Sequence, residues 1–244
     1  MADSQFKEEL LSLMDQKDHW AWKFFSQEKI SKDQLKTHFK QEYRVYVRDF
    51  PIFLSRIYSK GPPTDVRHDL AENIYEEETG GLSKTGPHPV LFLQMMTGLG
   101  FDPLEFQNVE MLPESIKYRN WLDEVTSDGV WYEAAAVIAI FVEGSVKDRQ
   151  EIQSSGQTSH QDIENTILIH PLVKTHGVNP KDMDLVRAHN LVERGHRKAA
   201  WKMVLDYVDT SLKQKKIKSL IQNTLDLWLA YRDGVAKACH LISS

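Results

Sequence analysis

The sequence has little of several features that would place it in a specialised class. It contains one cysteine, Cys239, which excludes an internal disulfide and favours a reducing compartment. No apolar run reaches the roughly 18–20 residues of a membrane-spanning helix, and the N-terminal MADSQFKEELL is charged where a signal peptide is apolar. The net charge of −5 and the pI of about 6.1 lack the basic excess of a nucleic-acid-binding protein. We therefore expect a cytoplasmic protein without nucleic-acid or membrane partners.

Strand signals are scarce as well, whereas helix signals recur along the chain. Apolar residues repeat at helical spacing in most segments. Four signals mark helix ends: a capping box at Ser31 and Gln34, a cap at Thr64, the last residue of GPPT, Gly80 with Gly81 as a C-terminal stop, and Asn179–Pro180 as the start of a long helix. The sequence predicts one all-α domain over residues 1–244, a bundle of seven to nine helices.

The helix predicted over 180–207 carries polar residues on the face that should be buried. At 100° per residue, Glu193 lies about 40° and His196 about −20° from His189, so the three share one side. Leu185 and Met203 fall on or near the same side, which indicates a stripe that packs inward. Imidazole and carboxylate are ligands for iron, zinc or manganese. A surface ion-pair cluster is the alternative, since the same helix carries several basic residues, namely Arg194, Arg197 and Lys198.

Glu193 and His196 also form the Glu-x-x-His element of ferritin-like di-iron bundles. Such bundles need two of these elements, and the closest second match is Asp65-x-x-His68. An ordinary ferritin-like site is therefore disfavoured.

Three further positions could supply metal ligands. Glu77 and Glu78 end the helix that begins near Thr64, and His88 follows a glycine-rich turn. Glu143 ends the apolar run AVIAIFVEG, where a buried carboxylate would need a partner. Each also has a simpler explanation: a solvated helix end for the two glutamates, an idle histidine at a helix start, and a helix that surfaces at Glu143.

Taken in order, these motifs resemble the heme-oxygenase-like di-metal oxidases, relatives of PqqC, TenA and the chlamydial CADD proteins. The resemblance rests on a glutamate before a glycine turn, His88-Pro, the buried-helix Glu143 and the His-x3-Glu-x2-His motif, and it extends over most of the chain. It implies a heme-oxygenase-like helical bundle and six metal ligands: Glu78, His88, Glu143, His189, Glu193 and His196. Glu193 stands where the family usually has aspartate, and Glu77 is a rival for Glu78.

The resemblance further implies an iron-dependent oxidoreductase that binds Fe(II), two per chain, and uses O₂ to oxidise a small-molecule substrate. The family's outcomes include N-oxygenation, C–C cleavage, decarboxylation and p-aminobenzoate formation, and the last uses a tyrosine of the chain, for which Tyr43 and Tyr46 are candidates. Whether the protein forms a homodimer is left open. The alternatives are a PqqC-like cofactorless oxidase, a TenA-like hydrolase with Cys239 as nucleophile, and a non-enzymatic interaction protein that exposes Trp20, Trp22, Phe24 and Phe25. We expect those aromatic residues to be core.

Overall fold

A computed structural model describes residues 2–27, 29–153 and 159–242, except for the side chains of Ala2, Asp3, Glu193 and Arg194. The described residues form helices and no strands, which confirms the all-α prediction. Thirteen α-helices are present in them: α1 (Ala2–Met14), α2 (Trp22–Phe25), α3 (Lys32–Glu42), α4 (Phe50–Ser59), α5 (Thr64–Thr79), α6 (His88–Gly98), α7 (Pro113–Asp128), α8 (Trp131–Ala135), α9 (Asp148–Gln153), α10 (His160–Ile169), α11 (Pro171–Lys174), α12 (Asp184–Leu205) and α13 (Ser211–Ala238).

The predicted number of seven to nine helices was too low. Short helices such as α2 and α11 are too brief to show an apolar period in the sequence. The predicted helix over 130–148 is two elements, α8 and a π-helical segment at Ala136–Val142, and α9 begins only at Asp148. A second π-helical segment, Tyr43–Val47, follows α3.

Local capping explains several helix ends. Ser31 Oγ accepts from the backbone N–H of Gln34, whose side chain accepts from the N–H of Ser31, so the predicted capping box is confirmed. Gly80 ends α5 at a φ of 62°, as predicted.

The Thr64 cap was wrong, and the cap at Asn179 is confirmed but starts a shorter element than predicted. Thr64 is the first residue of α5 and makes no capping bond, because the N-cap position belongs to Pro63. Asn179 caps a short 3₁₀ turn, Pro180–Asp182, and α12 begins only at Asp184.

Two apolar cores contact α12, the larger at its C-terminal half and the smaller at its N-terminal half. The larger core joins α1, α4, α7, the Ala136–Val142 segment and α13. The smaller core joins α3, α6 and α10 to the N-terminal half of α12. Of the four aromatic residues expected to be core, Trp22 and Phe25 are half-buried and pack against the larger core. Trp20 and Phe24 are also half-buried but are not among the side chains of either core. No helix in the described part of the chain has the length and apolarity needed to cross a membrane.

Candidate metal centre

The end of α5, the start of α6, the end of the Ala136–Val142 segment and the middle of α12 meet around one cavity. Its volume is about 150 Å³. The lining combines ion-capable and apolar side chains: Tyr46, Val47, Phe50, Glu77, His88, Val142, Glu143, Leu185, His189, Val192 and His196. Histidines and carboxylates thus converge from four elements that are distant in sequence.

The end of α5 places Glu77, and not Glu78, at this cavity. Glu77 is 8% exposed and lines the wall, whereas Glu78 is exposed to solvent. The reason is helical geometry: Val66, Leu70 and Asn73 define the buried face of α5, and Glu77 lies about 20° from Val66 while Glu78 lies about 120° away. The expectation that Glu78 faces the site is therefore corrected to Glu77.

Glu76 is a second buried carboxylate that the sequence reasoning missed. One of its oxygens accepts from the backbone N–H groups of Leu82 and Ser83 at 2.8 and 3.1 Å. Burial would raise the pKa of Glu76, but these hydrogen bonds and that of His88 outweigh burial and lower the pKa. The left-handed turn at Gly80 brings these donors back onto the helix end.

His88 begins α6 and lies between two carboxylates. Its Nε2 is 3.2 Å from Glu76 Oε1, and its Nδ1 is 3.0 Å from Glu77 Oε1. Burial alone would lower the pKa of His88, but Glu77 and Glu76 raise it above its ordinary value. The histidine is therefore not idle at its helix start: its ring is fixed in the cavity wall.

Glu143 follows the π-helical segment and reaches the same cavity. Its N–H donates to the carbonyl of Ile138, five residues back, so the extra residue of the π turn sets its direction. Its Oε1 is 3.7 Å from His196 Nδ1, and its Oε2 accepts from the Asn73 amide at 3.4 Å. The helix does not simply surface at Glu143, which is half-buried.

On α12, His189 and His196 both line the cavity, as their spacing predicts. The ring centroids of His189 and His88 are 5.1 Å apart. Burial lowers the pKa of His196, and its Nε2 is buried without a hydrogen-bond partner among the described residues. The side chain of Glu193, the third predicted ligand on this helix, lies outside the described residues.

One basic residue of the surface cluster that was the alternative, Arg197, does not lie at the surface. Arg197 is buried, pairs with Asp148 and donates to the carbonyl of Ile140 at 3.0 Å. Lys17 donates to the carbonyls of Phe141 and Val142 at 2.6 and 3.1 Å. Both cations therefore fix the end of the segment that presents Glu143.

The donor set suits iron, because it combines imidazoles with carboxylates and includes a buried His196 Nε2 that has no partner among the described residues. Among the described side chains, however, no three or more histidine, cysteine, aspartate or glutamate residues are arranged to hold a metal ion. The described carboxylates and imidazoles pair with one another: His88 with Glu76 and Glu77, and His196 with Glu143.

Comparison with known proteins identifies the class. Residues 37–229 match the model of a family described as iron-containing redox enzymes, and the chain belongs to that family. A 4-aminobenzoate synthase of Nitrosomonas europaea is 21% identical over 248 residues, covering 96% of this chain and 92% of the relative. A 4-aminobenzoate synthase of Chlamydia pneumoniae is 28% identical over 92 residues, covering 38% of this chain and 39% of the relative.

Solved structures agree on the fold. A TenA homolog from Pseudomonas syringae superposes with a TM-score of 0.68 at 13% identity, covering 96% of this chain and 92% of its own. A domain with a heme oxygenase-like fold from Shewanella denitrificans gives 0.65 at 15% identity, covering 96% and 88%. The protein therefore has a heme-oxygenase-like fold, as the sequence motifs implied.

Proposed function

We propose that the protein is a non-heme di-iron oxidase or oxygenase that uses O₂ to oxidise a small organic substrate. The observation that carries the proposal is the convergence of His88, His189 and His196 with Glu77 and Glu143 on one cavity. Membership of an iron-containing redox family supports the choice of metal. Glu193, on the same helix as His189 and His196, completes the proposed ligand set.

In this proposal the chain's own residues hold, orient and shield the site. Glu76 fixes the ring of His88 from outside the cavity, the arrangement by which outer carboxylates orient metal-binding histidines. Val47, Phe50 and Leu185 supply the apolar wall that limits water. Bound iron would supply the electrons and the open coordination positions that O₂ activation requires.

The decisive experiment is anaerobic loading with Fe(II), followed by metal analysis and oxygen uptake. We expect up to two irons per chain in the wild type and less than half of that in His189→Ala and Glu143→Ala, because each removes a donor. His68→Ala is the matched control, since this exposed histidine on α5 lies away from the cavity. Full iron content in both site variants would contradict the proposal, and a metal-free protein that still consumes O₂ would favour a cofactorless oxidase.

The hydrolytic alternative is not supported by the position of Cys239. The thiol is buried at the end of α13, contacts the carbonyl of Gln34 and does not line the cavity. Burial raises its pKa to about 11, which keeps it protonated at neutral pH. A thiolate nucleophile is therefore not expected at this site.

Formation of 4-aminobenzoate is the more specific candidate, supported by the two relatives of that name. If the chain consumes a tyrosine of its own, Tyr46 is the better placed of the two candidates, because it lines the cavity whereas Tyr43 packs against Phe92. Mass spectrometry after turnover with Fe(II), reductant and O₂ would detect 4-aminobenzoate and a matching change in the mass of the chain. Product from Tyr46→Phe at the wild-type yield would exclude Tyr46.

A further inference from the structure

A second cavity lies next to the proposed metal centre. Its volume is about 320 Å³, within the range of small-ligand pockets. Tyr46 and Val142 line both cavities, so the two cavities share part of their walls. The second cavity has aromatic and charged walls, formed chiefly by Lys17, Trp22, Glu42, Tyr118, Trp228 and Arg232.

Arg232 is the feature that points to a ligand. It is 4% exposed, and its Nη2 donates to Glu42 Oε1 at 3.1 Å and to Tyr46 Oη at 3.0 Å. Its Nε and Nη1 are buried and have no hydrogen-bond partner in the part of the chain that the structure describes. An unpaired buried donor on a charged group is costly, so these N–H groups call for an acceptor.

The balance of charged side chains around Arg232 is compatible with the binding of one anion. Arg232 and Lys17 carry positive charge into the cavity, whereas Glu42 is the buried acid; Asp18, the other acid of the lining, is exposed. Burial and the charge of Arg197 lower the pKa of Lys17 to about 7, so the excess positive charge is largest below neutral pH. His38 contacts Glu42, and burial lowers its pKa, so it adds little charge at neutral pH.

The aromatic side chains of the cavity wall indicate the chemistry of the uncharged part of the ligand. The Arg232 guanidinium carbon lies over the rings of Trp22, Tyr231 and Trp228, at 4.3, 4.6 and 5.5 Å from their centroids. The two indole rings are 6.3 Å apart, so the donors of Arg232 lie beside an aromatic surface. Flat rings stack favourably on such a surface.

We propose that this second cavity binds a small aromatic carboxylate, whose carboxylate accepts from the unpartnered N–H groups of Arg232 and whose ring lies against Trp22 and Trp228. None of these three residues belongs to the proposed iron ligands. The proposal therefore does not depend on iron, and chelator-treated protein is expected to bind the carboxylate as well.

The test uses benzoate as the probe and its neutral analogue benzamide as the comparison. Full-length, chelator-treated protein is titrated with each, and binding is followed by calorimetry and by tryptophan fluorescence. We expect saturable benzoate binding that changes the fluorescence, and benzamide binding at least about tenfold weaker, because the amide lacks the charge that pairs with Arg232.

Variants locate the binding site. Val146 lines the second cavity where it meets the surface and is 42% exposed, so Val146→Phe narrows the cavity and should weaken benzoate binding. Val192→Phe makes the same change in the first cavity and should leave benzoate binding unaltered. Glu42→Gln/Arg232→Met removes the donors without stranding a buried charge and should weaken benzoate at least about tenfold. Three outcomes would each overturn the proposal. Benzoate could bind no more tightly than benzamide, binding could fail to saturate at millimolar benzoate, or binding could be lost in Val192→Phe alone. Absence of iron uptake would count against the proposed oxidase only.

Discussion

At the scale of single residues, two adjacent glutamates at the end of α5 have opposite surroundings. Glu77 lies in the cavity wall against His88, and Glu78 lies in solvent. Glu77→Gln should therefore lower iron content and oxygen uptake at least about tenfold. Losses of this size are typical when a residue that binds or orients a metal is replaced. Glu78→Gln makes the same chemical change one residue along and should retain both. Anaerobic iron titration of the two variants checks this, and equal losses would contradict the assignment.

Glu42 and Arg232 form an ion pair that supports the second cavity and the larger core. Burial opposes ionisation of Glu42, but Arg232, His38 and Tyr46 outweigh it and hold the pKa well below the ordinary value of 4.5. A lowered carboxyl pKa stabilises the fold above the unfolded-state pKa, and that stability is lost as the pH falls.

Glu42→Gln should therefore lower the free energy of unfolding by about 3 kcal/mol at pH 7, since Arg232 loses its charged partner. The difference between variant and wild type should shrink as the pH falls below 4.5. Urea unfolding at pH 7 and pH 4 measures both values. A difference that grows in acid would show that the pair is not the cause.

At the scale of elements, the two π-helical segments determine the direction of cavity residues. Tyr46 and Val47 belong to Tyr43–Val47, and Glu143 directly follows Ala136–Val142. A residue added to a helical turn rotates everything after it by about 100°, so a regular α-helix through the same sequence would direct Glu143 elsewhere. Single-turn π segments are frequent at functional sites.

Helix capping gives a prediction for a single element. Ser31→Ala removes the capping bond to Gln34 and should lower the free energy of unfolding by about 1 kcal/mol. Thr64→Ala at the start of α5 should cost less, because Thr64 makes no capping bond and only accepts from the exposed Arg67. Chemical denaturation of the two variants compares them directly, and equal losses would contradict the role of the Ser31 cap.

At the scale of the whole molecule, the proposed metal centre joins four elements from both halves of the chain. A metal that binds the folded chain stabilises it by mass action, about 2.7 kcal/mol at a free concentration 100 times Kd. For a chain of this size that corresponds to a rise in Tm of roughly 5–11 °C. Anaerobic Fe(II) should produce this rise in the wild type, as measured by thermal unfolding. A His196→Ala/Glu143→Gln double variant should show little of it, and an equal rise there would indicate binding elsewhere.

Helical content, the capping box and the shared face of His189 and His196 follow from local rules, and the sequence alone was enough to predict them. The family motifs could also be recognised in the sequence, because short patterns such as His-x3-Glu-x2-His are defined by residue type and spacing alone. The choice of Glu77 over Glu78 was within reach too, since the period of Val66, Leu70 and Asn73 distinguishes them. Glu78 was preferred, with Glu77 as its rival, because the ligand was assigned from the family resemblance and not from the helix face.

Other features depend on contacts between residues far apart in the chain, and only the folded structure revealed them. Lys17 and Arg197 bind carbonyls at the end of the π-helical segment Ala136–Val142 from distant parts of the chain, and no local pattern indicates these contacts. From the sequence, Glu76 is indistinguishable from a solvated residue at a helix end. In the structure, the turn at Gly80 brings backbone donors and His88 against its carboxylate. The buried N–H groups of Arg232 that lack a partner among the described residues could not be predicted from the sequence. Their burial depends on the packing of α2, α3 and α13 around them, which only the folded structure shows.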